Sequence, residues 1–493
     1  MTRPQSAPTY LGIDIGTSGV KAMLIDAGGQ ALADATAPLC VSRLQDSWSE
    51  QDPEDWWQAT LVCLDALSKS NPEALEQVSG IGLSGQMHGA TLLDKSGKVL
   101  RPAMLWNDGR ASAECAQIEA ACPSSRVLSG NIAMAGFTAP KVLWVKNREP
   151  EIFDKIDRVL LPKDYVRWRL TGEFVSDMSD ASGTLWLDVK KRDWSENLLA
   201  ATGLDRSHMP ALVEGAAPSG MLRSELLSRW NMAGPVIVAG GGGDNAASAC
   251  GIGAVRPGEG FVSLGTSGVL FVSNDRFSPN TSGAVHAFCH AVPDTWHQMG
   301  VILSATDSLN WLAALTGRGA AQLAGEAETD YRGPGEEIFL PYLSGERTPH
   351  NNAQARGSFV GLSHKSDPPR LARAVMEGVA MAFRDSLAVL REASTEINNL
   401  VAVGGGSNSA LWLRLIATNL DMEIQVPRDG DFGGAFGAAR LALCAAQNAD
   451  PSEICQMPEI VTTIAPDPEL REPCAEQYAR FQALYPAIEE TKI

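Results

Sequence analysis

The stretch YLGIDIGTSGVKAMLID, residues 10–26, sets two apolar runs around the turn Gly16-Thr17-Ser18-Gly19. Tyr10 to Asp14 and Val20 to Asp26 read as strands, and Asp26-Ala-Gly28-Gly29 as the turn that follows. The spacing predicts a β-hairpin that opens a sheet. The same five letters return at Gly265-Thr266-Ser267-Gly268-Val269, after the short apolar run Phe261–Leu264. Each copy follows a strand, and each opens one half of the chain. Two similar α/β domains are therefore expected, meeting near residue 250. No low-complexity linker separates them, so they are expected to face each other across a cleft.

Between the two copies, strands and helices alternate, which favours α/β layers. Asp52-Pro53-Glu54-Asp55 reads as a helix start: an acceptor at the cap, proline at the first helical position, and acids at the positive end of the dipole. WWQATLVCLDAL, 56–67, continues it. Val78–Leu83 and Pro235–Ala239 read as further strands, each running into a polar or glycine-rich turn.

Composition limits the function. The 493 residues exceed one ordinary core, so two or three domains are expected. Forty basic and 58 acidic side chains give a formal charge of -18, which repels nucleic acid and anionic lipid; neither is an expected partner. A phosphate site must then be built locally. Nine cysteines without a CxxC pair predict reduced thiols rather than a disulfide or zinc framework. The first ten residues, MTRPQSAPTY, carry no apolar leader, and no apolar run reaches membrane length. A cytoplasmic protein is expected.

Several motifs can carry chemistry. A tight glycine turn after a strand aims backbone N–H groups at one point and lets an anion approach. Thr17, Ser18 and Thr266 add hydroxyls. Two ordinary hairpin turns are the alternative. GxxxxGK[ST] is absent, and no GxGxxG opens a helix, so a P-loop or dinucleotide fold lacks support. Asp14 ends the first strand and could hold Mg2+ through water, or simply cap the turn. Asp244 follows four glycines at a strand end, where it could serve as general base, or cap a helix starting near Ala246. Gly404-Gly405-Gly406-Ser407-Asn408 offers a flat glycine surface before a helical run, suited to a nucleoside or phosphate; a plain strand-to-helix connection has the same look. Met87-His88 ends another strand. Trp106-Asn-Asp108-Gly-Arg110 mixes an aromatic ring with hydrogen-bonding groups, as a polyol site would, and as a solvated loop would.

In this order the pieces resemble the FGGY family of carbohydrate kinases, within the superfamily of actin, Hsp70 and hexokinase. The likeness runs from about Tyr10 to Leu443 and adds GFTAPKVLWVKN at 136–147, LLPKDY at 160–165, SDASGT at 179–184, PYLSGERTPH at 341–350 and ARGSFVGL at 355–362. It implies two ribonuclease H-like domains of the actin-like ATPase type with a central cleft. Residues 1–250 would form the sugar-binding domain with the first phosphate turn, and 251–493 the nucleotide domain. The resemblance is greatest to members that phosphorylate D-xylulose with ATP and Mg2+, on LSGQMHGATLLD (83–94), LWNDGR (105–110), AGGGGDNAA (239–247) and SLGTSGV.

That resemblance implies roles. Met87 and His88 would touch the ketose, with Asn245, Trp106 and Asp108 as further sugar contacts. Asp244 would be the base. Asp14 would lie near metal and phosphates. Thr17, Ser18, Lys21 and Thr266 would hold phosphate, and Gly404, Gly405, Asn408 and Trp311 the adenosine. Arg148, Arg370 and Phe432-Gly-Gly-Ala-Phe436 depart from the family pattern, with expected effects on packing or nucleotide fit. A homodimer is the expected assembly. Sister kinases for ribulose, ribitol or glycerol are the nearest alternatives. A non-enzymatic ATP switch and an inactive sugar sensor are more distant ones.

Overall fold

The computed structural model describes residues 7–329, 331–428 and 432–491. The first six residues, on which part of the reading of a missing leader fell, lie outside these.

The opening stretch forms the predicted hairpin. Strand β1 (Thr9–Ile15) pairs antiparallel with β2 (Gly19–Asp26), which pairs antiparallel with β3 (Ala31–Pro38). Helix α1 (Pro53–Ser70) follows, with the Asp52 side chain accepting from the Glu54 N–H and Pro53 at its first turn. Its Trp56, Leu64 and Leu67 are fully buried in the cluster holding Leu11, Ile13 and Leu24. Each such side chain contributes about 1.5–3 kcal/mol relative to exposure. Strand β4 (Val78–Gly85) lies parallel to β1. Further along the chain lie helix α2 (Pro162–Thr171), β5 (Pro218–Met221) and β6 (Ile237–Ala239). The sheet runs β5-β6-β4-β1-β2-β3, and Gly242–Gly243 adds a short pairing to β4.

The second half begins after α3 (Asp244–Ile252). Strands β7 (Glu259–Leu264) and β8 (Gly268–Asn274) form the second hairpin; β9 (His286–Cys289) and β10 (Trp296–Ile302) extend it. Helices α4 (Thr306–Thr316), α5 (Ala320–Thr329) and α6 (Pro368–Glu392) follow, then β11 (Asn399–Val403), α7 (Ala410–Leu420), β12 (Ile424–Pro427), α8 (Gly434–Gln447) and β13 (Ile460–Ile464). The sheet order is β9-β10-β8-β7-β11-β12-β13.

The two sheets correspond strand for strand. In β5-β6-β4-β1-β2-β3 the neighbours run antiparallel, parallel, parallel, antiparallel, antiparallel. In β13-β12-β11-β7-β8-β10 they run in the same succession. The repeated five letters thus mark a repeated topology. This is the two-domain, actin-like α/β fold.

Two helices tie the halves together by crossing over. α3, from the first half, puts Ala249 and Ile252 into the cluster with Phe261, Phe271 and Val401 of the second sheet. α8, from the second half, lays Ala435, Ala439 and Ala442 on Tyr10, Met23 and Ile25 of the first. The approach is backbone to backbone. A Cβ on Gly12 would stand 1.8 Å from Ala435 O, one on Gly82 1.8 Å from Ala438 O, and one on Gly437 1.7 Å from Ala247 O. Only glycine fits. Gly437→Ala is expected to lower stability by about 1–3 kcal/mol through forced separation of α3 and α8. Urea unfolding measures this, and an unchanged midpoint would contradict the contact.

Candidate active site

The β1–β2 register places Asp14 opposite Lys21, and the β1–β4 register places it beside Ser84. Ser84 Oγ donates to Asp14 Oδ1 at 2.9 Å. The first residue of α8 closes in from above: a Cβ on Gly434 would meet the Asp14 carboxyl at 2.9 Å. The carboxylate therefore sits at the positive end of a 14-residue helix, which favours its charge. Lys21 also reaches Asp34 at 3.7 Å.

The first turn closes with Gly16 N–H on Gly19 O and Leu39 N–H on Ser18 O. Its tip, Ser18, is exposed, as is Thr266 in the second turn. In that turn the Gly265 carbonyl accepts from both the N–H and the hydroxyl of Thr306 at the start of α4. Thr17 differs from the expectation. Its hydroxyl accepts from Trp106 Nε1 at 3.0 Å and donates to Gln86 Oε1 at 2.9 Å, while its carbonyl accepts from Gln51 Nε2. The Thr17 side chain anchors the turn, and phosphate would meet its backbone. Trp106 is bound into the same network through its indole N–H, so only its ring is left to face a ligand.

Asp244 opens α3, but it is not the cap; that place belongs to Gly243, and no side chain caps the helix. Asp244 Oδ1 accepts instead from the Asn245 N–H at 2.8 Å and from Asn245 Nδ2 at 3.0 Å. Burial, then the nearby Asp14 carboxylate, raise its pKa to about 6, against the pull of the two Asn245 bonds. Asn245, expected at the sugar, thus donates twice to the carboxylate.

Met87 packs on Gly243, the residue before Asp244, and shares Gly183 with His88. A Cβ on Gly243 would touch Met87 Cγ at 2.9 Å, and one on Gly183 would touch both Met87 Cε and His88 Nδ1 at 2.7 Å. His88 Nδ1 lies 2.6 Å from the Gly183 carbonyl, which can only accept, so Nδ1 carries the proton and Nε2 is left as an acceptor. Burial, then the charge of Lys141, push His88 down to about 3, so the ring is neutral. Phe137 packs on it at 4.8 Å between centroids. Phe137 was absent from the sequence reading; its position inside GFTAPKVLWVKN was the available signal.

Asp108 falls outside the expected role. It is 1% exposed, and its oxygens take the Ser49 N–H at 2.7 Å and the Arg110 guanidinium at 2.6–3.0 Å. It folds the 105–110 loop, and a sugar contact does not follow from it. Trp311, expected at the adenosine, is 38% exposed. It stacks on Phe339 at 6.1 Å and Phe359 at 6.3 Å, and it lines neither of the two large cavities.

Those cavities share one wall. The first, about 620 Å³, runs from Asn245 and Ser248 past Ser263 to Gly404, Asn408 and Gly433. The second, about 520 Å³, lies between α4, α5 and the start of α7, with Asn310, Glu328, Gly405, Asn408 and Ser409. Gly405 and Asn408 border both. Each has room for part of a nucleotide. The departures Phe432 and Gly433 line the first cavity. Arg370 pairs with Glu337 at 3.7 Å, and Arg148 is exposed at a helix end.

The comparisons with known proteins agree with one another. The model of the FGGY family of carbohydrate kinases, N-terminal domain, matches residues 9–251, and that of the C-terminal domain matches 260–446. A xylulose kinase of Escherichia coli (strain K12) is 50% identical over 476 residues, covering 96% of this chain and 96% of its own. One of Klebsiella pneumoniae is 51% identical over 434 residues, covering 88% and 89%. The crystal structure of a xyloylose kinase from Brucella ovis superimposes with a TM-score of 0.96 at 54% identity, covering 98% of this chain and 100% of that one.

Trp311→Ala is expected to leave the KM for ATP within about twofold while lowering the melting temperature. A large rise in that KM would return Trp311 to the nucleotide site.

Proposed function

This chain belongs to the FGGY family of carbohydrate kinases, and on that premise we propose that it moves the γ-phosphoryl group of ATP onto the terminal hydroxyl of D-xylulose, giving D-xylulose 5-phosphate and ADP. The observation that carries the mechanism is Asp244: a half-buried carboxylate raised to about 6, held by Asn245 and set beside Met87 and His88. At neutral pH it is ionised, yet basic enough to take a proton from a hydroxyl.

The sugar lies against Met87, Phe137 and His88, with His88 Nε2 accepting one hydroxyl. Asp244 takes the proton of the terminal hydroxyl, whose oxygen attacks the γ-phosphorus in line. Adenosine occupies the cavity bounded by α4, α5 and Gly405–Ser409. The N–H groups of the two glycine turns, with Thr266 and Lys21, hold the phosphates, and charge builds up beneath fixed dipoles. Positioning does most of the work. The halves 1–250 and 251–493 supply the sugar and the nucleotide sides, and their closure excludes water. Nine unpaired cysteines suit a reducing, cytoplasmic setting.

Asp14 fits a Mg2+ site. Among the described residues no group of three or more His, Cys, Asp or Glu could cage a metal. One carboxylate plus substrate phosphates is how Mg2+ is commonly held. Asp14 and Asp244 repel one another, and a cation between Asp14 and the phosphates would offset that. When bound, the ion neutralises charge on the phosphoryl oxygens.

Coupled ADP release with D-xylulose, D-ribulose, ribitol and glycerol tests the substrate. D-xylulose is expected to give the highest kcat/KM; turnover with another acceptor and none with D-xylulose would overturn the assignment. Asp244→Ala is expected to lower kcat by about 10²–10⁴-fold, and full activity would remove its role as base. Below about pH 6 Asp244 holds its proton, so kcat/KM is expected to fall about tenfold per pH unit. In Asp14→Asn that limb is expected at lower pH, because the repelling charge is gone.

A further inference from the structure

A cluster of buried ions lies behind the glycine run, touching no cavity that the proposed reaction uses. Lys163 is fully buried on α2, with Nζ at 2.6 Å from Asp164, 2.7 Å from Asp177 and 3.1 Å from Asp180. All three carboxylates are completely enclosed. Arg167, one turn along α2 and also fully buried, donates to the carbonyls of Ala239 and Gly240 and to Ser219 Oγ at 2.6 Å. Ser179 Oγ donates to Asp177 and accepts the Gly243 N–H at 3.0 Å. Gly243 immediately precedes Asp244.

The same segment reaches the sugar side. Asp177 caps the short helix Met178–Ser182 by accepting from Ser179 N–H, and the next residue, Gly183, accepts from His88 Nδ1. Asp244 and His88 therefore hang from one frame, through Ser179 and Gly183 respectively.

Stability alone does not account for such a cluster. Taking five charged groups out of water costs several kcal/mol per ion, and apolar packing of the same volume usually serves as well. Two cations face three carboxylates, and burial raises Asp180 well above the usual carboxylate range. What ions supply and oil does not is direction. The Arg167 guanidinium fixes two successive carbonyls of the 239–243 run, and the Ser179 hydroxyl fixes its last N–H. Across the run, Gly241 presses on β4, where a Cβ would come within 1.9 Å of Leu83 O.

We propose that Lys163, Arg167 and Ser179 are positioning residues that clamp the 239–243 run, and so set the general base against the sugar held at His88. The inference rests on Asp244 being that base. No member of the cluster touches substrate; each acts through the backbone before Asp244.

Ser179→Ala removes one hydroxyl and keeps the fold's volume, so it is the decisive variant. Its kcat is expected to fall about tenfold, with the KM for D-xylulose and for ATP within about twofold. The acid limb of its pH profile is expected to move toward lower pH as Asp244 drifts from Asp14. Lys163→Met is expected to lose more; if it does not fold, Ser179→Ala alone decides. A folded Ser179→Ala enzyme with unchanged kcat and an unmoved limb overturns the proposal, as does an effect confined to KM or to melting temperature. Asp244→Ala is assayed beside it. Retained turnover there removes the base itself, whereas a dead Asp244→Ala with a normal Ser179→Ala removes only the clamp.

Discussion

The structure depends on one contact, the backbone-to-backbone seating of α8 on β1, β4 and α3. Side chains are excluded at Gly12, Gly82 and Gly437 because carbonyl oxygens of the neighbouring element occupy the space a Cβ would need. Packing at that distance leaves almost no freedom for lateral sliding, since interiors are close-packed. Each half lends a helix to the other's sheet, so the halves are joined by their cores as well as by the chain. The first residue of α8 emerges from this seat directly over Asp14. A purely structural constraint thereby brings the positive end of a helix to the foot of the phosphate turn.

Two acids then share a small volume. Asp14 is favoured by the helix end and by Ser84, while Asp244 is half-buried and accepts from Asn245. The environments of the two carboxyls differ: the helix end faces Asp14, while burial and the Asp14 carboxylate raise Asp244 to about 6. His88 follows the same logic with opposite sign: burial and the charge of Lys141 push it down to about 3, and the Gly183 carbonyl decides which nitrogen carries the proton. The ion cluster at Lys163 supports both from behind.

Much of this was legible in the letters. The hairpin at 10–26 and its echo at 261–269 form as read, the α1 start is capped as read, and the strand-for-strand symmetry follows from the repeat. Asp14 comes near enough to Asp244 to raise it, and Met87 packs on Gly243 just before Asp244, because residues at strand ends and in glycine runs have few other places to go. Less legible were the partners of side chains whose type suits two roles. Thr17 and Asp108 look like ligand groups, yet their partners, Gln86 and Ser49, are 69 and 59 residues away and were not foreseeable. Trp311 looks like a base-stacking ring, yet two phenylalanines from later segments take its face.

The sequence by itself determined the class of fold, the repeat, and the order of the chemistry-bearing motifs, since those rest on local periodicity, turn chemistry and composition. The tertiary structure alone decided which groups are spent on the scaffold and which are left to act. A hydrogen bond's donor can be spent only once, and whether it is spent depends on neighbours brought in from far along the chain. The buried ions behind Asp244 are the same lesson reversed: LLPKDY and SDASGT carry no local sign of burial, and only the folded core places their charges together and away from water.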